Sequence, residues 1–278
     1  MSRIIYYYQT FIGLKLDNDT PITHIHLSAI HFGKNPDGSP YIHLNNYPPN
    51  NKVFDSVWKD IKKAKELGIK IVLMVGGAGS AYNVLFSDFE TYYPLLVKTI
   101  KQHPEIDGID LDVEEYVSLD NIKMLINKID EDFGKDFIIS MAPIQSSLQQ
   151  NQPGMGGFIY KDLYQSKEGQ RINYFNGQFY SDYSANSYKQ VINNGYPADK
   201  VVMGMISSQD LGNAVDVVSE LSKEYSDFGG VFDWEYFDAP PSPHKNPSMW
   251  SYEMKKAMEH KAINENNILD EMNYCRIS

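Results

Sequence analysis

The stretch Asp107-Gly-Ile-Asp-Leu-Asp-Val-Glu-Glu115 puts five acidic side chains into nine residues, yet its spacers Ile109, Leu111 and Val113 are apolar. In a β-strand residues two apart share a face, so Asp110, Asp112 and Glu114 point one way and the three apolar residues the other. Asp107 is out of phase with that acidic face and reads as a strand-start or capping residue. Like charges crowded on a segment that otherwise favours burial need a reason. In a closed barrel the apolar face packs under helices, and the carboxyls climb the interior toward the C-terminal end of the strand. Three carboxylates so enclosed cannot all ionise cheaply, so at least one pKa should rise and a proton should be shared. A carboxyl still protonated near neutrality is what a general acid requires. Two other readings fit less well. A solvated edge would not carry such apolar spacers, and a metal site would want a His or second acidic cluster at another strand end. No metal or cofactor is expected.

The rest of the chain repeats the strand in kind. Apolar, β-rich runs occur at 3–8, 24–32, 70–77, 107–113, 136–143, 172–180, 200–206 and 229–237, nearly all followed by amphipathic stretches. Helices are predicted at 53–67, 92–103, 120–133, 186–195, 213–225 and 250–261. The first has Val53, Val57, Ile61 and Leu67 as its apolar stripe and Gly68 as its stop, and the third has Asp120 as its N-cap. Alternation of this kind argues for a parallel sheet. Eight units in about 260 residues fit an α/β fold of the (β/α)8 TIM-barrel type, one domain over 1–278, better than an open sheet. No G-x-G-x-x-G turn follows the first strand, which removes the main support for a dinucleotide fold. The long irregular segments at 33–51 and 144–170 follow strands directly, which places them on the C-terminal face where barrel enzymes keep their active sites. A third lies at 238–249.

A net charge of −11 argues against a nucleic-acid or anionic-membrane partner. A single cysteine, Cys275, excludes an internal disulfide. The opening MSRIIYYYQTF reads as a first strand and not as a signal peptide, leaving either a cytoplasmic protein or a mature form whose leader has been removed. A monomer is expected.

The acidic strand resembles the D-x-x-D-x-D-x-E signature of glycoside hydrolase family 18, the chitinase family, at all four fixed positions: Asp107, Asp110, Asp112 and Glu114. The likeness continues in order along the chain. Met74-Val-Gly-Gly77 stands where the family has S-x-G-G, with only the glycines in agreement. Met141-Ala-Pro143 matches the plant and bacterial chitinase branch, with Ile144 in place of its usual Glu. Gly177-Gln-Phe-Tyr-Ser181 is similar to that branch's Q-F-Y-N, with Ser181 for Asn. Gly229-Gly-Val-Phe-Asp-Trp234 resembles the closing G-G-V-x-x-W.

The resemblance implies roles. Glu114 would be the general acid. No enzyme nucleophile is used, because the 2-acetamido group of the bound sugar attacks its own anomeric carbon. Asp112 would orient that group, Asp110 would share a proton with Asp112, and Tyr180 would donate to the acetamido oxygen. Trp234 would floor the sugar site, and Gln178, Met141, Tyr6 and Gly77 are the further candidates for substrate contact. The alternatives for Trp234, Tyr180, Gln178 and Met141 are core or structural roles. His24 and His26 share a strand face and read as a hydrogen-bonded core pair. Asp233 and Glu235 face away from Trp234, toward helices. The implied activity is cleavage of β-1,4-linked N-acetylglucosamine in chitin or its oligosaccharides. The alternatives are an endo-β-N-acetylglucosaminidase acting on N-glycan cores, whose relatives usually lack the Q-F-Y and closing-Trp pattern, or a non-catalytic lectin of the same fold, whose relatives commonly lack the final Glu.

Overall fold

The computed structural model describes residues 2–259, so Cys275 and the last two positions of the helix expected at 250–261 lie outside the described residues. Eight parallel strands close into a barrel: β1 (Arg3–Tyr8), β2 (His24–Lys34), β4 (Lys70–Gly76), β5 (Ile106–Asp112), β6 (Ile138–Met141), β7 (Tyr174–Gln178), β8 (Val201–Ile206) and β9 (Gly230–Trp234). Each pairs with the next, and β1 pairs with both β2 and β9 to complete the ring. The acidic strand is therefore the fourth of the barrel. All eight expected strands form, each close to its expected place.

One strand was not expected. Residues Pro40–Leu44 form β3, antiparallel to β2, inside the segment 33–51 that reads as irregular. The Pro36-Asp-Gly-Ser39 turn folds it back, with the Asp37 carboxylate accepting from Ser39 N at 2.9 Å. The helices are α1 (Asp55–Glu66), α2 (Ala81–Ser87), α3 (Phe89–Gln102), α4 (Leu119–Phe133), α5 (Gln145–Gln149), α6 (Tyr160–Gln165), α7 (Ala185–Asn193) and α8 (Leu211–Glu224), and residues 249–259 are also helical. Two local expectations are corrected. Helix α4 is capped by Ser118, whose side chain accepts from Asn121 N, and Asp120 falls inside its first turn. Val53 lies in a short 3-10 turn before α1 and is exposed, while Phe54, Val57, Ile61 and Ala64 carry the buried stripe.

Burial on both faces explains why the strands read as nearly continuous apolar runs. The outer layer, between strands and helices, holds most of the hydrophobic core, including Leu111, Ile109, Met141 and Met203. A smaller cluster of Ile5, Tyr7, Ala29, Met74, Tyr174, Val202 and Phe232 fills the barrel interior. Among these apolar side chains stand the polar ones that face inward: His26, Asp110, Ser140 and Asn176, all fully buried.

The register of β5 has a bulge that accounts for the phase of its acids. Ile71 pairs with Ile106 and Val72 with Gly108, which leaves Asp107 as the extra residue. Its carboxylate turns outward, accepts from Ile71 N at 2.9 Å, and pairs with Lys65 and Lys70. Asp107 is thus a strand-start residue that pins the bulge. From Gly108 onward the strand alternates without interruption, carrying Asp110 and Asp112 inward.

Candidate active site

The strand reading of the acidic stretch places Asp110 at the bottom of the ladder, Asp112 above it and Glu114 at the mouth. Asp110 and Asp112 are buried and Glu114 is half-buried. Two glycines shape the neighbouring strand end. Gly76 and Gly77 both have positive φ, and Gly77 N donates to Asp112 O at 2.9 Å. A Cβ on Gly76 would sit 2.1 Å from that same carbonyl, so only glycine allows β4 to curl over Asp112. A Cβ on Gly77 would reach to 3.5 Å from Asp112 Oδ2, which places Gly77 against the ladder.

The three carboxyls have different charge environments. Burial works to raise Asp110, but His26 beside it and hydrogen bonds from Ser140 and Tyr7 outweigh that and hold it below the usual carboxylate range. Its oxygens receive Ser140 Oγ at 2.6 Å, Tyr7 OH at 2.8 Å and Asn176 Nδ2 at 3.2 Å. Asp112 is pushed well above the ordinary range by burial, then by Glu114 and Asp110. Among the described residues its one side-chain hydrogen-bond donor is the Gln178 amide, at 3.4 Å. Glu114 is raised by burial and drawn partly back by Gln178. The ladder is therefore graded, its carboxyl lowered at the base and raised above, an arrangement suited to general acid chemistry at the top.

Other strand ends complete the site. On β7, Tyr174, Asn176 and Gln178 face inward, and Gln178 is held in place by donating to Ala142 O at 2.9 Å. Tyr180 continues that face, half-buried, its ring 6.3 Å from Phe232. Burial, with Asp112 foremost among the nearby acids, raises the Tyr180 phenol, so it stays a hydrogen-bond donor. Trp234 ends β9 on the inward face, half-buried, with Tyr7 below it at 5.3 Å. Beside the indole opens a cavity of 490 Å³ lined by Ser207, Glu235, Asp238, Pro243 and His244 among others, within the usual range for ligand sites.

Two sequence candidates are misplaced. Met141 pairs with Leu111 and shares its outward direction, so it packs in the outer core and does not line the cleft. Tyr6 is likewise outside the barrel: its hydroxyl donates to Pro247 O at 2.7 Å, and its ring contacts Tyr236 and Trp250. Tyr7 takes the inward place. Asp233 does turn away from Trp234, while Glu235 lines the same cavity as the indole, and both meet loops and not helices. Glu235 accepts from the backbone of Gln9 and Thr10, and Asp233 accepts from Ser207 Oγ at 2.8 Å. His26 approaches Asp110, and its Nε2 lies 3.1 Å from Tyr174 OH. His24 bonds Thr23. Both imidazole rings pack against Tyr174, and among the described residues no hydrogen bond joins His24 to His26. Among the described residues no group of three or more His, Cys, Asp or Glu side chains is disposed to hold a metal ion.

The motif departures at 144 and 181 are built into the scaffold. Ile144 bridges Gln178 and precedes α5, and Ser181 Oγ donates to Gln145 Oε1 at 3.0 Å. Two neighbours of the ladder escaped sequence reasoning. Glu115 accepts from Tyr82 N at the start of α2, tying the β5 exit to that helix. Tyr116 is 72% exposed and lies against Gly157, where a Cβ would stand 2.6 Å from its ring. An exposed tyrosine two positions after the acid was the available signal.

Asp233 yields a pH expectation. Burial raises its carboxyl well above the usual range, with Glu235 and Asp238 adding to the rise. A raised acid stabilises the fold fully below its unfolded pKa, near 4, and loses that contribution as pH climbs toward the folded value. Asp233→Asn should therefore gain melting temperature over the parent at pH 8 and little or nothing at pH 4. Thermal unfolding at the two pH values checks this; an equal gain at both would reject it.

Several known proteins share this fold. A fungal endo-β-N-acetylglucosaminidase from glycosyl hydrolase family 18 superposes with a TM-score of 0.84 at 30% identity, covering 92% of this chain and 98% of its own. The chitinase ChiC from Aspergillus fumigatus superposes with a TM-score of 0.78 at 31% identity, over 93% of this chain and 100% of its own. Chitinase 2 of Rhizopus oligosporus is 23% identical over 242 residues, 78% of this chain and 44% of that relative, so the chain spans less than half the relative's length. No protein-family model matches the sequence.

Proposed function

The chain belongs to glycoside hydrolase family 18, and on that premise we propose that it hydrolyses β-1,4 linkages of N-acetylglucosamine oligosaccharides with retention of anomeric configuration. The observation that carries this reading is the ladder itself: Asp110 held below the usual carboxylate range by Ser140 and Tyr7, with Asp112 and Glu114 raised above it toward the mouth. Such a column supplies one proton donor at the leaving oxygen. By the mechanism of the family, the attacking atom is the sugar's own acetamido oxygen. Glu114 protonates the departing glycosidic oxygen, while Asp112 accepts the acetamido N–H and Tyr180 donates to its carbonyl. The ring's apolar face rests on Trp234. Gln178 fixes Asp112 from the side, and Gly77 leaves room for it to turn.

A second reading, cleavage within the chitobiose core of N-glycans, uses the same residues. It is favoured by the likeness to the fungal endo-β-N-acetylglucosaminidase. Chitotetraose and chitohexaose assayed beside a high-mannose glycopeptide separate the two. Cleavage of the oligomers alone supports the first, and cleavage of the glycopeptide alone replaces it with the second.

The leaving sugar must lie beside the residue that protonates it, and the exposed ring nearest that side in sequence is Tyr116. Tyr116→Ala should raise KM for chitohexaose by about 2- to 10-fold, the scale of one lost aromatic contact, with kcat less affected. An unchanged KM would remove Tyr116 from the leaving-group side.

A further inference from the structure

Tyr180 and Trp234 follow strands that are not neighbours, with β8 between them, and the turn that leaves β8 is tied to both. Regular pairing of β7 with β8 ends at Gln178 and Gly204, and Phe179 N donates to Gly204 O at 3.0 Å. Tyr180 lies beyond that point. Among the described residues it makes one hydrogen bond, its carbonyl accepting from Gln209 Nε2 at 3.1 Å. The same amide nitrogen lies 3.3 Å from Phe179 O. The other end of the Gln209 side chain is fixed as well: Oε1 accepts from Ile206 N at 3.0 Å, and Gln209 N donates to Ile206 O at 2.9 Å. The amide is thereby oriented, its N–H groups toward the β7 exit and its oxygen toward the β8 exit. On the other side the turn holds β9, which stays paired with β8 out to Ile206 and Trp234. Just past this pair Ser207 N donates to Trp234 O at 2.9 Å. Ser207 Oγ stands 3.1 Å from the carbonyls of both Trp234 and Glu235, and 2.8 Å from Asp233 Oδ2. Asp210 then caps α8 by accepting from Asn213 N, so the helix start does not depend on Gln209. Gln209 itself is half-buried and lies outside the apolar core.

We infer that Gln209 is a positioning residue: anchored through the Ser207 turn to the β9 exit, it sets the Tyr180 hydroxyl at a fixed place relative to the Trp234 floor. A sugar resting on the indole then meets its hydrogen-bond donor already in position. The edge-on contact of the Tyr180 ring with Phe232, centroids 6.3 Å apart, gives the hydroxyl no such direction. A donor gathered in only after binding would cost rate, because a misplacement on the order of 1 Å is enough to slow a reaction about 10²-fold. Gln209 does this through the backbone of Tyr180 and has no need to touch substrate. The effect on turnover rests on the glycosidase reading above; the placement of Tyr180 does not.

The test is a double-mutant cycle. Gln209→Glu keeps the acceptor for Ile206 N and loses the donors that face Phe179 and Tyr180. On chitotetraose it should lower kcat about 10- to 100-fold, with KM within about twofold. In a Tyr180→Phe background no hydroxyl remains to be placed, and the same substitution should cost about twofold or less, because coupled residues do not add. Gln209→Ala goes through the same cycle and stands in if the glutamate variant does not fold. Parental kcat in a folded variant, or an equal loss in both backgrounds, would make Gln209 a general support of the turn and overturn the inference, even if each variant melts earlier. Carbon NMR of tyrosine-labelled protein reads the placement without substrate, Tyr180 being assigned by its absence from Tyr180→Phe. Its ring signal should shift or broaden in Gln209→Glu, and an unchanged signal would contradict the inference. If the parent fails to cleave chitotetraose, the proposed function falls, and that signal still decides whether Gln209 places the ring.

Discussion

Glu114→Gln should leave the barrel folded and sugar binding intact while lowering turnover on chitin oligomers by about 10²- to 10⁴-fold, the ordinary contribution of a general acid. The loss corresponds to about 3–5 kcal/mol of transition-state stabilisation. Glutamine keeps the size of the side chain and its contact with Gln178, so packing at this half-buried position is conserved. It cannot give up a proton to the departing oxygen. The reason Glu114 has a proton to give lies in its surroundings: burial raises its carboxyl above the ordinary range. Steady-state kinetics with a binding titration by chitotetraose checks the expectation. A variant with parental kcat would reject Glu114 as the acid.

The second large effect concerns the substrate. An oligosaccharide whose sugar at the cleavage position lacks its N-acetyl group should be inert, because the attacking oxygen is missing from the reaction and not supplied by the protein. Asp112→Asn should reproduce part of that defect, lowering kcat on acetylated oligomers on the order of 10²-fold, as loss of one preorganised polar partner does. Its amide has one oxygen to accept the acetamido N–H and no proton to exchange with Glu114. Hydrolysis of the deacetylated oligomer at a comparable rate would mean that a protein carboxylate attacks, and the mechanism would have to be rebuilt around one.

The alternation of Asp110, Asp112 and Glu114 was legible in the sequence because Ile109, Leu111 and Val113 mark the opposite face unambiguously. Tyr6 was misassigned because Arg3–Tyr8 is buried on both faces and has no alternation to count. Only its register against Ile25 and Asp233 shows that Tyr7 is the inward residue. Met141 failed for a similar reason. Its motif position suggested the cleft, while its pairing with Leu111 turns it outward. The partners of Asp110 were beyond sequence reasoning altogether, since Tyr7, His26, Ser140 and Asn176 meet only through the registers of separate strands. The hairpin strand β3 was within reach: Pro36-Asp-Gly-Ser39 is a turn signal between short apolar runs. Ser118 also stood in plain view as a cap, three residues before the amide it accepts from.

The central claim is that a single proton-donating column works beneath a sugar that provides its own nucleophile. Product stereochemistry tests it most directly. Chitohexaose digested in the NMR tube should release new reducing ends first as the β anomer, with the α anomer growing in only at the rate of mutarotation. First appearance of the α anomer would mean direct attack by water from the opposite face, which contradicts the mechanism.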